Sequence, residues 1–198
     1  MERLGMLRRL YDWTVALADK PYAIWALALV SFLESSVFPV PPDALLAPMA
    51  LARPEKAFRY AFVCTITSVL GGIAGYAIGS LLYDSLGLFL LNFYGYGSKI
   101  EVVKELYAQY GAWFILIKGL TPIPFKLVTI VSGFMDYPLW QFIGLALVTR
   151  GARFFLLAFL FNRYGESLRD VIERHLTLVV FGFLMVVVLG FIIVSRLV

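Results

Sequence analysis

One cysteine and one histidine are all that 198 residues offer for thiol or metal chemistry. Cys64 alone excludes an intrachain disulfide, and no Cys/His cluster has metal-ligand spacing. Charge is scarce as well: Asp, Glu, Lys and Arg make up 15% of the chain, against about 25% in a soluble domain. No Ser/His/Asp set, no glycine-rich phosphate loop and no low-complexity linker is present. Arg169 and His175 have the spacing of one fragment of a lipid-phosphatase motif, but Leu168 stands where its serine belongs and the other fragments are missing. No enzyme and no cofactor are expected. The N-terminus carries Arg3, Arg8, Arg9, Asp12, Asp19 and Lys20 without a clean apolar core or small-residue cleavage site, so a removable signal peptide is not expected either.

What is abundant is apolar. Hydrophobic residues make up 61% of the chain, and the mean hydropathy is +0.85. The composition predicts an all-α integral membrane protein with a single domain over 1–198. The net charge of +4 comes from basic residues scattered at span ends and inside spans. Anionic lipid is therefore a better partner than nucleic acid. A homo-oligomer stays open.

Residues 1–20 read as an interfacial helix, with Leu4, Leu7 and Leu10 at helical spacing and arginines between them. The apolar segment 21–52 is broken by Pro39, Pro41 and Pro42. Its first arm, Pro21 to Ser36, is about 16 residues or roughly 24 Å of helix, a little short of a crossing. A hairpin that enters and leaves on one side fits better than a single broken span. A span follows over 58–91, where Gly71, Gly75 and Gly79 share one face and allow close helix packing. Then come a second interfacial helix at 94–111, a second re-entrant segment at 112–135 broken by Pro122 and Pro124, and a span at 138–162. An extra C-terminal span occupies 176–195.

Shifting the first proline loop by 83 positions lays Pro39, Pro41 and Asp43 on Pro122, Pro124 and Lys126. With the matching order of elements, this predicts an inverted repeat of re-entrant hairpin plus span. In that topology ten loop and terminal Lys/Arg residues share one side and three the other, which puts the N-terminus in the cytoplasm.

Six ionisable residues fall where lipid would otherwise be: Glu34, Asp43, Lys118, Lys126, Arg150 and Arg153. They could pair internally and only hold the loops. Two acids against four bases, however, leave two positive charges uncompensated, and such a surplus calls for an anion. Phosphate suits Lys and Arg. Glu34 and Asp43 flank the first break, and two carboxylates in one poorly hydrated cavity repel each other when both are ionised. They are candidates for exchanging protons with the medium.

At Glu34, Phe38-Pro39-Val40-Pro41-Pro42-Asp43, at Gly71/Gly72, Gly75-Tyr76 and Gly79, and at the second proline loop ending in Ser132-Gly133, the chain resembles the DedA family, also called the VTT-domain or SNARE-associated Golgi protein family, in its YqaA-like branch. The resemblance covers roughly residues 25–165. It implies a bacterial inner-membrane protein with two opposed re-entrant loops that moves lipids between leaflets, undecaprenyl phosphate in some members and phospholipids in others. The family's acidic pair carries over to Glu34 and Asp43, and its basic residues to Lys118 and Lys126. Many members have two arginines six apart in the second loop, where this chain has lysines eight apart.

The expected function is a flippase or scramblase for a phosphate-bearing lipid. Lys118, Lys126, Arg150 and Arg153 would hold the head group, and Glu34 and Asp43 would couple protons. Two alternatives are a proton-coupled exporter of small cationic solutes and a structural membrane protein whose charges only pair.

Overall fold

A computed structural model describes residues 20, 22–37, 41–82, 100–120 and 125–165. Almost all of the expected interfacial helix 1–20, the C-terminal span 176–195, and Pro39, Pro122 and Pro124 lie outside the described residues. Among the described residues there is no strand, and the elements are α1 (Ala23–Ser36), α2 (Asp43–Ala52), a 3-10 turn (Pro54–Lys56), α3 (Ala57–Leu82), α4 (Ile100–Leu120), α5 (Phe125–Phe134) and α6 (Leu139–Gly165).

Local chemistry sets these boundaries. α1 closes when Val37, at φ −137°, leaves the helix with its N–H on the Leu33 carbonyl. Pro41 and Pro42 follow and bring no backbone donors. Pro42 stands just before α2, and Asp43 puts a carboxylate in its first turn, where the helix dipole favours negative charge. α5 ends at Asp136, whose φ of 58° lets the Tyr137 N–H reach the Ser132 carbonyl and its own N–H reach that of Gly133. These two bonds form a Schellman closure, and Pro138 then prevents the helix from resuming.

The direction of each helix follows from its bonds. Ser31 donates to the Cys64 carbonyl at 2.8 Å, and Ser35 pairs with Ser68 at 2.7 Å. Both pairs are 33 residues apart, so α1 and α3 run parallel. Glu34 and the start of α2 face neighbouring residues of α6, while Leu46 and Met49 of α2 share an apolar cluster with Ala23 and Leu27 of α1 and Ala57 to Cys64 of α3. α2 therefore returns beside α1. In the second half the Tyr107 and Tyr137 rings meet at 5.7 Å and Gly119 lies against Thr149, so α4 and α6 run parallel. α5 runs against α4, with Tyr107 bonded to Ser132 and Ile115 packed among Phe125 and Val128. α6 runs against α3, from Tyr76–Tyr137 at one end to Pro54–Asn162 at the other.

Two triplets, α1–α3 and α4–α6, thus have the same order and opposite sense. A shift of 82 residues carries Asp43–Ala52 onto Phe125–Phe134 and the first residue of α3 onto that of α6, one residue from the offset of the proline loops.

α3 is the common support. A side chain on Gly71 would overlap the Phe32 carbonyl of α1, and one on Gly79 the Ile130 carbonyl of α5. Between them Gly75 faces the Ser35 carbonyl and Thr129, while Gly133 of α5 answers with the same closeness to the Tyr76 carbonyl. The glycine face seen in the sequence is a seat for both broken segments.

Two boundaries differ from expectation, and a third, the end of the span at 91, falls outside the described residues, since α3 is described to Leu82. Residues 100–120 form one helix across the expected division at 111/112. Gly111 alone costs a helix only about 1 kcal/mol, and Tyr137 packs against its bare Cα. α6 continues to Gly165 rather than ending at 162. Among the described helices, Pro54–Leu82 and Leu139–Gly165 are long and apolar enough to cross a membrane. Large apolar side chains cover the outside, including Trp25 at 75% and Trp140 at 83% exposure. Such a surface suits lipid rather than water.

Candidate functional site

A polar layer separates two apolar clusters. One cluster gathers Leu27, Met49, Cys64, Phe154 and Ala158, and the other Val69, Ile115, Phe125, Phe142 and Ala146. Glu34, Ser35, Ser68 and Arg150 lie in the seam, all buried. Glu34 is in the last turn of α1, Ser68 faces it from the parallel α3, and Arg150 reaches in from α6.

These four side chains close a ring. Arg150 donates Nη2–H to Glu34 Oε2 at 3.1 Å and Nε–H to Ser68 Oγ at 2.8 Å. Ser35 donates to Glu34 Oε2 at 3.2 Å. Its one proton thus committed, Ser35 must accept that of Ser68 in their 2.7 Å contact. The other carboxylate oxygen, Oε1, accepts the backbone N–H of Phe125 at 3.1 Å. Phe125 opens α5, so Glu34 satisfies one of the orphan donors of that helix from 91 residues away. Thr129, one turn on, donates to the Ser35 carbonyl at 3.0 Å. The Arg150 guanidinium is held between two rings, with its carbon 5.0 Å from the Phe125 centroid and 4.6 Å from that of Phe154. Glu34 and Arg150, 6% and 2% exposed, are buried as an ion pair with hydrogen-bonded neighbours, the form in which buried charge is tolerated.

A second pair lies one turn along α6. Arg153 Nη2 donates to Asp43 Oδ2. Asp43 Oδ1 is buried and has no hydrogen-bond partner among the described residues. Lys126 donates its Nζ to the Val37 carbonyl at 3.3 Å, just beyond the end of α1. Lys118, in the last turn of α4, has its Nζ 5.9 Å from the centre of the Phe114 ring. No group of three or more His, Cys, Asp and Glu comes together among the described residues.

The sequence-selected residues therefore separate into two kinds. The acids and arginines of distant segments are brought together as two pairs, Glu34–Arg150 and Asp43–Arg153. Lys126 sits where the two broken segments meet. Pro41 and Pro42 lie between α1 and α2, as expected of breaking residues. Sequence reading missed Ser35, Ser68, Phe125, Thr129 and Phe154. Ser68 carried a signal, because it lies three residues before Gly71 and seven before Gly75, on the same helix face. The role of Phe125 carried none, since the bond uses its backbone.

Known proteins give a consistent picture. The family model described as VTT domain matches residues 21–163. An uncharacterized protein of Haemophilus influenzae is 32% identical over 187 residues, covering 94% of this chain and 97% of its own length. An uncharacterized protein of Histophilus somni is 30% identical over 168 residues, covering 83% and 87% respectively. No solved structure matches the chain. The matched span runs from just before α1 almost to the end of α6 and takes in both broken segments and the six charged residues singled out above, and on that basis the chain belongs to the VTT-domain family, the DedA proteins of membranes.

Proposed function

We propose that the protein moves a phosphate-bearing lipid, such as undecaprenyl phosphate or a phospholipid, between the leaflets of the bacterial inner membrane. Membership of a membrane family linked to transport sets the class. The observation that carries the finer reading is the junction of the two broken segments, where Phe125 bonds Glu34 and Lys126 bonds Val37. Broken helices meeting from opposed repeats are how transporters build a midplane site. We read the two segments as re-entrant, with the N-terminus cytoplasmic.

The charge count supports an anion. Each acid already has an arginine, and Lys126, on the Val37 carbonyl, adds a positive charge where the two broken segments meet. A head-group phosphate would meet Lys126 first. The same pairing counts against export of small cations, because each carboxylate already has a guanidinium. It agrees in part with a structural role, since the Glu34–Arg150 ring ties α1, α3 and α6 together. Both roles coexist if the arginine pairs hold the repeats while the lysines receive substrate.

The test is leaflet-resolved transfer by purified protein in liposomes, with labelled undecaprenyl phosphate, phosphatidylglycerol, phosphatidylethanolamine and a phosphate-free glycolipid. Transfer of phosphate-bearing lipids alone is the expected result. Equal transfer of the glycolipid, or no transfer above empty liposomes, would remove the proposal.

A further inference from the structure

The Glu34 ring has one property that an ordinary buried ion pair lacks. Among the described residues, every hydrogen bond of the carboxylate is with a donor: Arg150 and Ser35 at Oε2, and the Phe125 N–H at Oε1. Ser35 and Ser68 have each committed their single proton around the ring. A neutral Glu34 could keep its place only by donating its O–H to Ser35 with both hydroxyls reversed, and it would no longer offset the charge of Arg150. Protonation therefore leaves a buried guanidinium without its counter-ion and lets an incoming anion displace the side chain.

What Glu34 would leave behind is a set of donors around an empty anion position. It comprises a guanidinium stacked between two rings, a hydroxyl pair, and the first N–H of α5. Lys126, the next residue of α5, stands at the edge on the Val37 carbonyl. We propose that Glu34 is a built-in competitor for the substrate: its carboxylate occupies the position that a phosphate diester takes when Glu34 gains a proton and swings out. The inference rests on the lipid-phosphate reading above and adds how the anion is admitted and released.

Charge balances in the exchange. One proton neutralises Glu34 as one monoanionic phosphate arrives, so Arg150 is never left buried without a counter-ion. The other charged or titratable groups around it are Arg153 of α6, Asp43 of α2, Cys64 of α3 and Lys126 of α5. Arg153 and Asp43 neutralise each other, and Lys126 draws the incoming phosphate toward the ring.

The experiment measures binding of two probes that keep a single negative charge through neutral pH: a long-chain dialkyl phosphate and dimethyl phosphate. Full-length protein in an uncharged detergent is titrated calorimetrically in buffers of different ionisation heat. The parent is expected to take up about one proton per long-chain diester bound, and to lose affinity roughly tenfold per pH unit on the alkaline side. Glu34→Gln keeps the size and removes the competing charge. It is expected to bind roughly tenfold tighter at neutral pH, with no proton uptake.

Binding by the parent without proton uptake, or a folded Glu34→Gln that binds no tighter, overturns the inference. If Glu34→Gln does not fold, the proton count of the parent still decides. Equal binding of dimethyl phosphate supports the exchange at Glu34 and overturns the lipid reading. Proton-linked binding of the long-chain diester in a protein that transfers no lipid does the same to transport.

Discussion

Adjacent residues of α5 reach to opposite ends of one short stretch of α1: Phe125 gives its N–H to Glu34 at 3.1 Å, and Lys126 gives its ammonium to the Val37 carbonyl at 3.3 Å. α1 supplies the negative cap for the start of α5, and α5 supplies the positive cap for the end of α1. Each broken segment satisfies backbone groups that the break in the other exposed. The two proline interruptions are therefore parts of one joint.

On the proposed function, Lys126 is where that joint receives substrate. Lys126→Ala should abolish transfer of phosphate-bearing lipid in liposomes, while Lys126→Arg retains part of it. The melting temperature in detergent should change little, since the hydrogen bond to Val37 contributes about 1 kcal/mol.

Arg150 should behave differently. Arg150→Met leaves Glu34 buried without its partner and should destabilise the protein by about 3–5 kcal/mol. Adding Glu34→Gln should recover much of that loss. A double-mutant cycle of melting temperatures reads the coupling, and additive effects would show that the pair is not a unit.

The glycines of α3 allow a graded test. Gly71→Ala and Gly79→Ala place a methyl against backbone carbonyls of α1 and α5, which cannot move aside as a side chain can. Both should lose folded protein in a thermal melt, by about 1–3 kcal/mol or more. Gly144 in α6 has nothing within 4 Å of where a Cβ would stand. Gly144→Ala should be neutral or more stable by up to about 1 kcal/mol.

Transfer by the parent should respond to an imposed proton gradient. Glu34→Gln and Asp43→Asn, which keep shape and remove titration, should lose that response while remaining folded. Gradient-independent transfer by the parent would leave a passive scramblase. Loss of the folded state in both variants, with no separate transport defect, would mark the acids as structural.

Much of this architecture was legible because membrane burial makes a few residue types conspicuous. Proline and charge are costly in lipid, so Pro41, Pro42, Glu34, Asp43, Arg150 and Arg153 stood out. The proline offset also exposed the repeat that the helices follow to within a residue. The pairing of acids with bases was not legible. Arg150 and Arg153 share a face three residues apart, and sequence alone did not direct one to Glu34 and the other to Asp43. Nor could the continuity of α4 through Gly111 be read, because Tyr137, which packs there, lies 26 residues on. The hydroxyl ring was hidden for a simpler reason. Serine is an ordinary small residue in a membrane helix until its partners are known.

The pairing across the repeats also bears on how the chain is made. Glu34 and Asp43 lie in the first triplet, and their arginines follow 116 and 110 residues later. While synthesis has reached only α3, both of these carboxylates have entered the polypeptide and neither of their arginines has been translated. An unpaired acid in hydrocarbon costs several kcal/mol, so the first triplet gains both of its charge pairs only when α6 is made. A chain stopped between the repeats would hold Glu34 and Asp43 without the arginines that pair with them.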